Sequence, residues 1–122
     1  FVIFCLKEMW GGEIFVPKIP SYRIIDLAKA ISPSAKFKFV GIRPGEKIHE
    51  EMISTNESFN TVEFKNYFAI IPKSDFINWD KKKYLKSHKA GKILKDDFSY
   101  NSKTNPKFLS IPEIKKLIKN FN

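Results

Sequence analysis

Cysteine is nearly absent, Cys5 being the only one. A single thiol excludes an internal disulfide and a multi-thiolate metal site, and it suits a reducing, cytoplasmic setting. The simplest role for Cys5 is that of a small buried apolar residue. Long hydrophobic runs are also missing. The opening Phe1-Val2-Ile3-Phe4-Cys5-Leu6 is broken by Lys7 and Glu8, far short of the ~20 apolar residues of a membrane helix. It has neither the basic lead-in nor the small-residue cleavage site of a signal peptide. Glycine is scarce, with five residues and no Gly-x-Gly-x-x-Gly, so the chain carries no glycine-rich dinucleotide loop. Arginine is scarcer still: of 22 basic residues only Arg23 and Arg43 are Arg. Arg alone offers a planar fork for phosphate, which draws attention to those two positions.

What is present supports a fold. The 122 residues are 43% hydrophobic and 15% aromatic, a composition that argues against wholesale disorder. One domain of this size buries roughly two-thirds of its unfolded surface. The net charge of +9 is compatible with nucleic acid, acidic lipid or a phosphorylated small molecule as partner. Much of the excess lies in one stretch, Lys81, Lys82, Lys83, Lys86, Lys89, Lys92 and Lys95. The apolar first residues read as the end of a helix begun upstream. That divides the chain into 1–10, the end of that helix, and 11–122, the remainder.

Periodicity predicts several elements. Gly11-Gly12 is suited to stop the first helix, and Glu13 to Val16 reads as a short strand closed by Pro17. Ser21 is a candidate N-cap for an amphipathic helix over 21–31 carrying Ile24, Leu27, Ala28 and Ile31. Lys36-Phe37-Lys38-Phe39-Val40 alternates like a half-buried strand. Residues 47–53 lean to strand, and 66–71 form a clearer one ended by Pro72. Residues 73–99 read as a surface excursion with helical turns. Ser110 and Glu113 have capping-box spacing before a last helix with Ile114, Leu117 and Ile118 on its apolar face. The pattern is α/β, or α+β if the chain is a fragment.

The segment with the most chemistry is Arg43-Pro44-Gly45-Glu46. A Pro-Gly turn releases the Arg43 side chain from the backbone, and Glu46, three residues on, is brought to the same side. A guanidinium can chelate diphosphate oxygens while a carboxylate accepts from ribose hydroxyls. The same spacing also fits a turn with a surface ion pair, worth about 0–1 kcal/mol.

The run Gly41-Ile42-Arg43-Pro44-Gly45-Glu46-Lys47-Ile48-His49-Glu50 resembles the Arg-Pro-Gly-Glu-Lys-Leu-His-Glu segment of extended short-chain dehydrogenases that act on UDP-N-acetylglucosamine. The resemblance is greatest to the inverting 4,6-dehydratases and related polysaccharide-biosynthesis dehydratases and epimerases. Gly11-Gly12-Glu13-Ile14-Phe15-Val16-Pro17-Lys18, the helix with Ile25-Asp26-Leu27-Ala28, and Tyr100-Asn101-Ser102 with Asn105 and Phe108-Leu109-Ser110 are similar to further blocks of that family. The resemblance implies the C-terminal, substrate-binding subdomain of an extended Rossmann-type enzyme, with most of the dinucleotide-binding sheet lying outside the chain. It implies Arg43 on the UDP diphosphate and Glu46 on the ribose, where many relatives have Asp. Lys18, His49 and Glu50 match family positions in supporting roles. Asn101 and Ser102 fall in a C-terminal loop that would close over the nucleotide, or are ordinary loop polarity.

In the family, NAD(P) and a Tyr-x-x-x-Lys pair oxidise the sugar at C4 before water is eliminated across C5 and C6. Tyr22, Tyr67, Tyr84 and Tyr100 open no such pair, because Asp26, Ile71, His88 and Thr104 stand four residues later. The expectation is therefore a UDP-sugar-binding piece of a homo-oligomeric lyase of surface-glycan synthesis, inactive alone, with catalytic and cofactor residues upstream. The competing reading is a basic module in which Phe76, Trp79 and Tyr84 interleave with the lysines to stack on single-stranded nucleic acid.

Overall fold

The computed structural model describes residues 1–72, 79–88, 91–95 and 97–120. The elements in chain order are α1 (Val2–Glu8), β1 (Ile14–Pro17), α2 (Ile24–Ile31), β2 (Glu51–Ile53), α3 (Thr55–Ser58), β3 (Thr61–Glu63), β4 (Tyr67–Ile70), α4 (Lys81–Ser87), β5 (Lys92–Ile93), β6 (Tyr100–Asn101) and α5 (Ile111–Lys119). The chain groups into two compact units. One comprises Phe1–Lys18 with Glu51–Tyr100, the other Ile19–Glu50 with Asn101–Asn122.

The first unit is built on a four-stranded sheet of order β1-β4-β3-β5. Its pairs are antiparallel: Val16 faces Phe68, Val62 faces Ala69, and Val62 also faces Ile93. Pro17 is tolerated because β1 is an edge strand, where a missing N–H breaks no ladder. Alternation along the central β4 sorts the core into two layers. Ala69 and Ile71 join Val62, Phe64 and Tyr84 on one side, with Phe15, Tyr67, Trp79 and Leu85 packed against them. Phe68 joins Val16, Ile53 and Tyr100 on the other. Each large side chain so buried contributes about 1.5–3 kcal/mol. Gly91 allows a close approach to this core: a Cβ there would lie 2.7 Å from Val62 Cγ1 and 2.9 Å from Phe64 Cε1.

Burial in α4 corrects the expected surface excursion at 73–99. Tyr84 is fully buried and stacks on His88 with ring centroids 4.1 Å apart. The Trp79 indole N–H donates to the Gly11 carbonyl at 2.7 Å. The lysines Lys82, Lys83 and Lys86 are the outer face of a helix whose inner face is aromatic. Sequence periodicity missed this because the helix is only seven residues long. Asp80 caps it, its carboxylate accepting from the Lys82 and Lys83 amides at 2.9 and 3.1 Å. Residues 73–78, with Phe76, and Lys89 lie outside the described residues.

In the second unit α2 packs on α5, burying Ala30 and Ile114. The Ser110–Glu113 capping box forms as expected. Ser21 does not cap α2, whose N-cap is Arg23 without a side-chain cap bond. Ser21 is instead stitched to the C-terminal tail. Its N–H donates to Lys107 O at 2.9 Å and its carbonyl accepts from the Leu109 N–H at 2.8 Å. The Asn105 amide donates to Ser21 Oγ at 2.9 Å and to Ile19 O at 2.8 Å.

The expected strand at 36–40 is irregular and exposed. Phe39 is 80% exposed and Val40 75%. Alternation assigns a sidedness, but a strand also needs a neighbour, and the described residues offer none. The expected strand at 47–53 is realised only in its last three residues, β2.

Candidate functional site

The Arg43 turn is built locally. The Glu46 N–H donates to the Arg43 carbonyl at 3.0 Å, closing a turn over Pro44-Gly45, and Gly45 takes φ +86°, which a side chain would strain. The Glu46 carboxylate then accepts the Arg43 N–H at 2.9 Å. Its other oxygen lies 3.9 Å from Arg43 Nε, a loose contact with the Arg43 side chain 80% exposed. The turn thus fixes the backbone of both residues and leaves the guanidinium projecting into solvent. A planar cation at the tip of a hydrogen-bonded turn suits an incoming anion with two oxygens. Glu46 already uses part of its acceptor capacity to hold the turn.

The remaining expected residues separate. His49 and Glu50 follow on the same exposed stretch. The Glu50 N–H donates to Ser102 Oγ at 3.0 Å, and the Ser102 N–H donates to the Glu50 carbonyl at 2.8 Å. Asn101 Oδ1 accepts from the Lys103 and Thr104 amides and the Thr104 hydroxyl at 2.9, 3.0 and 3.1 Å, so it shapes the turn after it. Arg43, Glu46, His49, Glu50, Asn101 and Ser102 all belong to the second unit. Lys18 belongs to the first, where it pairs with Glu63 at 2.6 Å and lies over the Phe68 ring at 4.7 Å. The Ser21–Asn105 link escaped sequence reasoning because its partners are 84 residues apart; no local signal marks it.

Other features of the described residues are less suited to chemistry. A hollow of about 380 Å³ in the first unit is lined by Phe1, Phe4, Phe64, Lys65, Asn66 and Tyr67, and it is mainly apolar. His88 Nε2 lies 3.7 Å from a Glu8 carboxylate oxygen within an aromatic cluster that includes Trp10, Phe64 and Tyr84. No cluster of three or more metal-ligating side chains occurs among the described residues, and no described helix is long and apolar enough to cross a membrane. The stacking surface that a nucleic-acid reading needs is internal where it is described, since Tyr84 is buried and Trp79 packs beside it.

The family described as polysaccharide biosynthesis protein matches residues 1–72, which include the Arg43 turn. The chain belongs to that family. Similar curated proteins include a UDP-N-acetylglucosamine 4,6-dehydratase (inverting) of Campylobacter jejuni, 45% identical over 97% of this chain and 36% of that protein. A UDP-glucose 4-epimerase of Rickettsia bellii is 30% identical over 99% of this chain and 35% of its own length. Among solved structures, the X-ray structure of Pen from Bacillus thuringiensis superposes with a TM-score of 0.70 at 27% identity, covering 98% of this chain and 34% of that one. This member of the polysaccharide biosynthesis family therefore spans about a third of the length of the relatives it matches. It is a mixed α and β structure, with an antiparallel sheet in its first unit.

Proposed function

We propose that this chain is the UDP-sugar-binding part of a C5-inverting UDP-N-acetylglucosamine 4,6-dehydratase, with Arg43 on the diphosphate and Glu46 on the ribose. The observation that carries the reading is the Arg43-Pro44-Gly45-Glu46 turn, which holds a guanidinium 80% exposed beside a carboxylate. The 45% identity to a dehydratase, against 30% to an epimerase, favours dehydration over epimerisation. His49 and Glu50 support the loop from its C-terminal side, and Lys18 has its supporting role within the first unit, where it pairs with Glu63.

The whole protein would use NAD(P) to oxidise the sugar before elimination. The residues of this chain do not fit that cofactor: the first unit's sheet pairs are antiparallel, and α2 starts at Ile24, capped by Arg23 and not by a glycine-rich loop. NAD(P) is accordingly assigned to residues outside this sequence, and the chain alone should show no dehydratase turnover. The whole enzyme is taken to be a cytoplasmic homo-oligomer, which light scattering on the parent protein checks.

Isothermal titration with UDP tests the binding reading. Arg43→Ala should weaken UDP binding by about 2–5 kcal/mol if the contact is a desolvated charge pair. Arg43→Lys should recover only part of that, because a point charge cannot chelate two oxygens. Equal affinity in the wild type and Arg43→Ala would sink the assignment, and salt-sensitive binding of single-stranded DNA without a UDP response would favour the basic-module reading instead.

A further inference from the structure

The segment carrying Arg43 and Glu46 is wholly exposed, and irregular apart from its Pro44-Gly45 turn. Such a loop loses conformational freedom when it binds, unless something orders it beforehand. At its C-terminal end the two hydrogen bonds between Glu50 and Ser102 supply a tether, reaching across 52 residues. Ser102 contributes through both backbone and side chain, so the tether uses a group that most residues lack. Ser102 directly follows β6, which pairs with β2, and three donors converging on Asn101 Oδ1 shape the turn on which it sits. Asn101 Oδ1 and Ser102 Oγ both spend acceptor capacity on the chain's own backbone amides, which is the work of groups that shape a loop.

We infer that Ser102, held by Asn101, is a positioning residue that pre-orders the Arg43–Glu50 loop for the UDP moiety, rather than a direct contact to it. This rests on the UDP-sugar reading above. Losing one such hydrogen bond is on the order of a five- to tenfold change in an equilibrium. Because the loop buries little, the effect should fall on loop order and affinity rather than on global stability.

The test combines hydrogen exchange with UDP titration on the full chain. Ser102→Ala should speed amide exchange over residues 41–50 and weaken UDP binding about five- to tenfold, while the thermal midpoint stays within about 2 °C. Ser102→Thr, which keeps the hydroxyl, should restore both. Asn101→Ala should act in the same direction, and the double variant should be less than additive because the two residues form one chain of contacts. Unchanged exchange over 41–50 in Ser102→Ala overturns the inference and leaves the UDP reading standing. Weakened UDP binding with unchanged exchange overturns it too, in favour of a direct contact. A wild type that binds no UDP removes the reading itself, and the positioning role with it, whatever the exchange data show.

Discussion

At the scale of single residues, Tyr84 carries an unusual burden. It is fully buried, and its hydroxyl has no hydrogen-bond partner among the described residues. A buried hydroxyl without a partner costs about 1–3 kcal/mol. Tyr84→Phe keeps the ring stacking and removes that cost, so it should raise stability by about 1 kcal/mol, or roughly 4 °C in thermal midpoint. A lowered midpoint would show that the hydroxyl is satisfied after all. Burial pushes the Tyr84 phenol well above its ordinary value, with Tyr67, Glu13 and Glu8 adding to the shift. Tyr67 is raised as well, again mainly by burial. A phenol harder to ionise when folded favours the folded state below its unfolded pKa near 10 and loses that advantage as pH rises beyond it. Alkaline unfolding above about pH 10 should therefore be shallower in Tyr84→Phe than in wild type, as read from pH-dependent denaturant midpoints.

At the scale of elements, two helices begin with the same device. The Glu57 and Glu113 carboxylates accept from the backbone and side chain of Ser54 and Ser110, closing capping boxes on α3 and α5. Those hydrogen bonds hold both carboxyls below their ordinary value. The sign is opposite to that of the tyrosines: this stabilisation is present above the unfolded carboxylate range and is lost as pH falls through the folded values. Ser110→Ala should cost about 1 kcal/mol, measurable by urea denaturation, and the difference from wild type should shrink below about pH 4. An undiminished difference at low pH would argue that Glu113 is not the partner that matters. The Ser110 box was legible in the sequence because its partners are three residues apart, and the same holds for the Arg43–Glu46 turn. The strands β1 and β4 were legible from apolar runs ended by proline. β3 and the inward face of α4 were not, since three- and seven-residue elements carry too short a period. The Ser21 stitch and the Glu50–Ser102 tether were hidden for a different reason: both join residues far apart in the chain, and no local pattern specifies such partners.

At the scale of the whole molecule, much apolar surface remains open. Ile24 is 72% exposed and Ile31 67% on α2, and Phe39, Val40 and Ile42 follow on the next segment. Val2, Ile3 and Leu6 are similarly open on α1. Exposed apolar side chains in such number favour association. The chain by itself should self-associate with rising concentration, visible by light scattering. Phe39→Ser with Val40→Ser should reduce that association while moving stability by no more than about 0.5 kcal/mol, as expected for exposed positions. A large loss of stability would mean that the segment is packed after all.

The stitch between residues 19–21 and 105–109 has a consequence for the order in which the molecule can be made. A ribosome delivers α2 well before α5. The Ser21 backbone groups and the buried face around Ala30 must therefore wait for the chain beyond Lys107 before their partners exist. During that interval Ile24 and Ile31 stand beside a surface not yet covered. Non-local closure is the slow step of folding and the one most exposed to misassembly. The second unit is thus a late-closing clasp, and translation halted short of Lys107 leaves it open however well the first unit has formed.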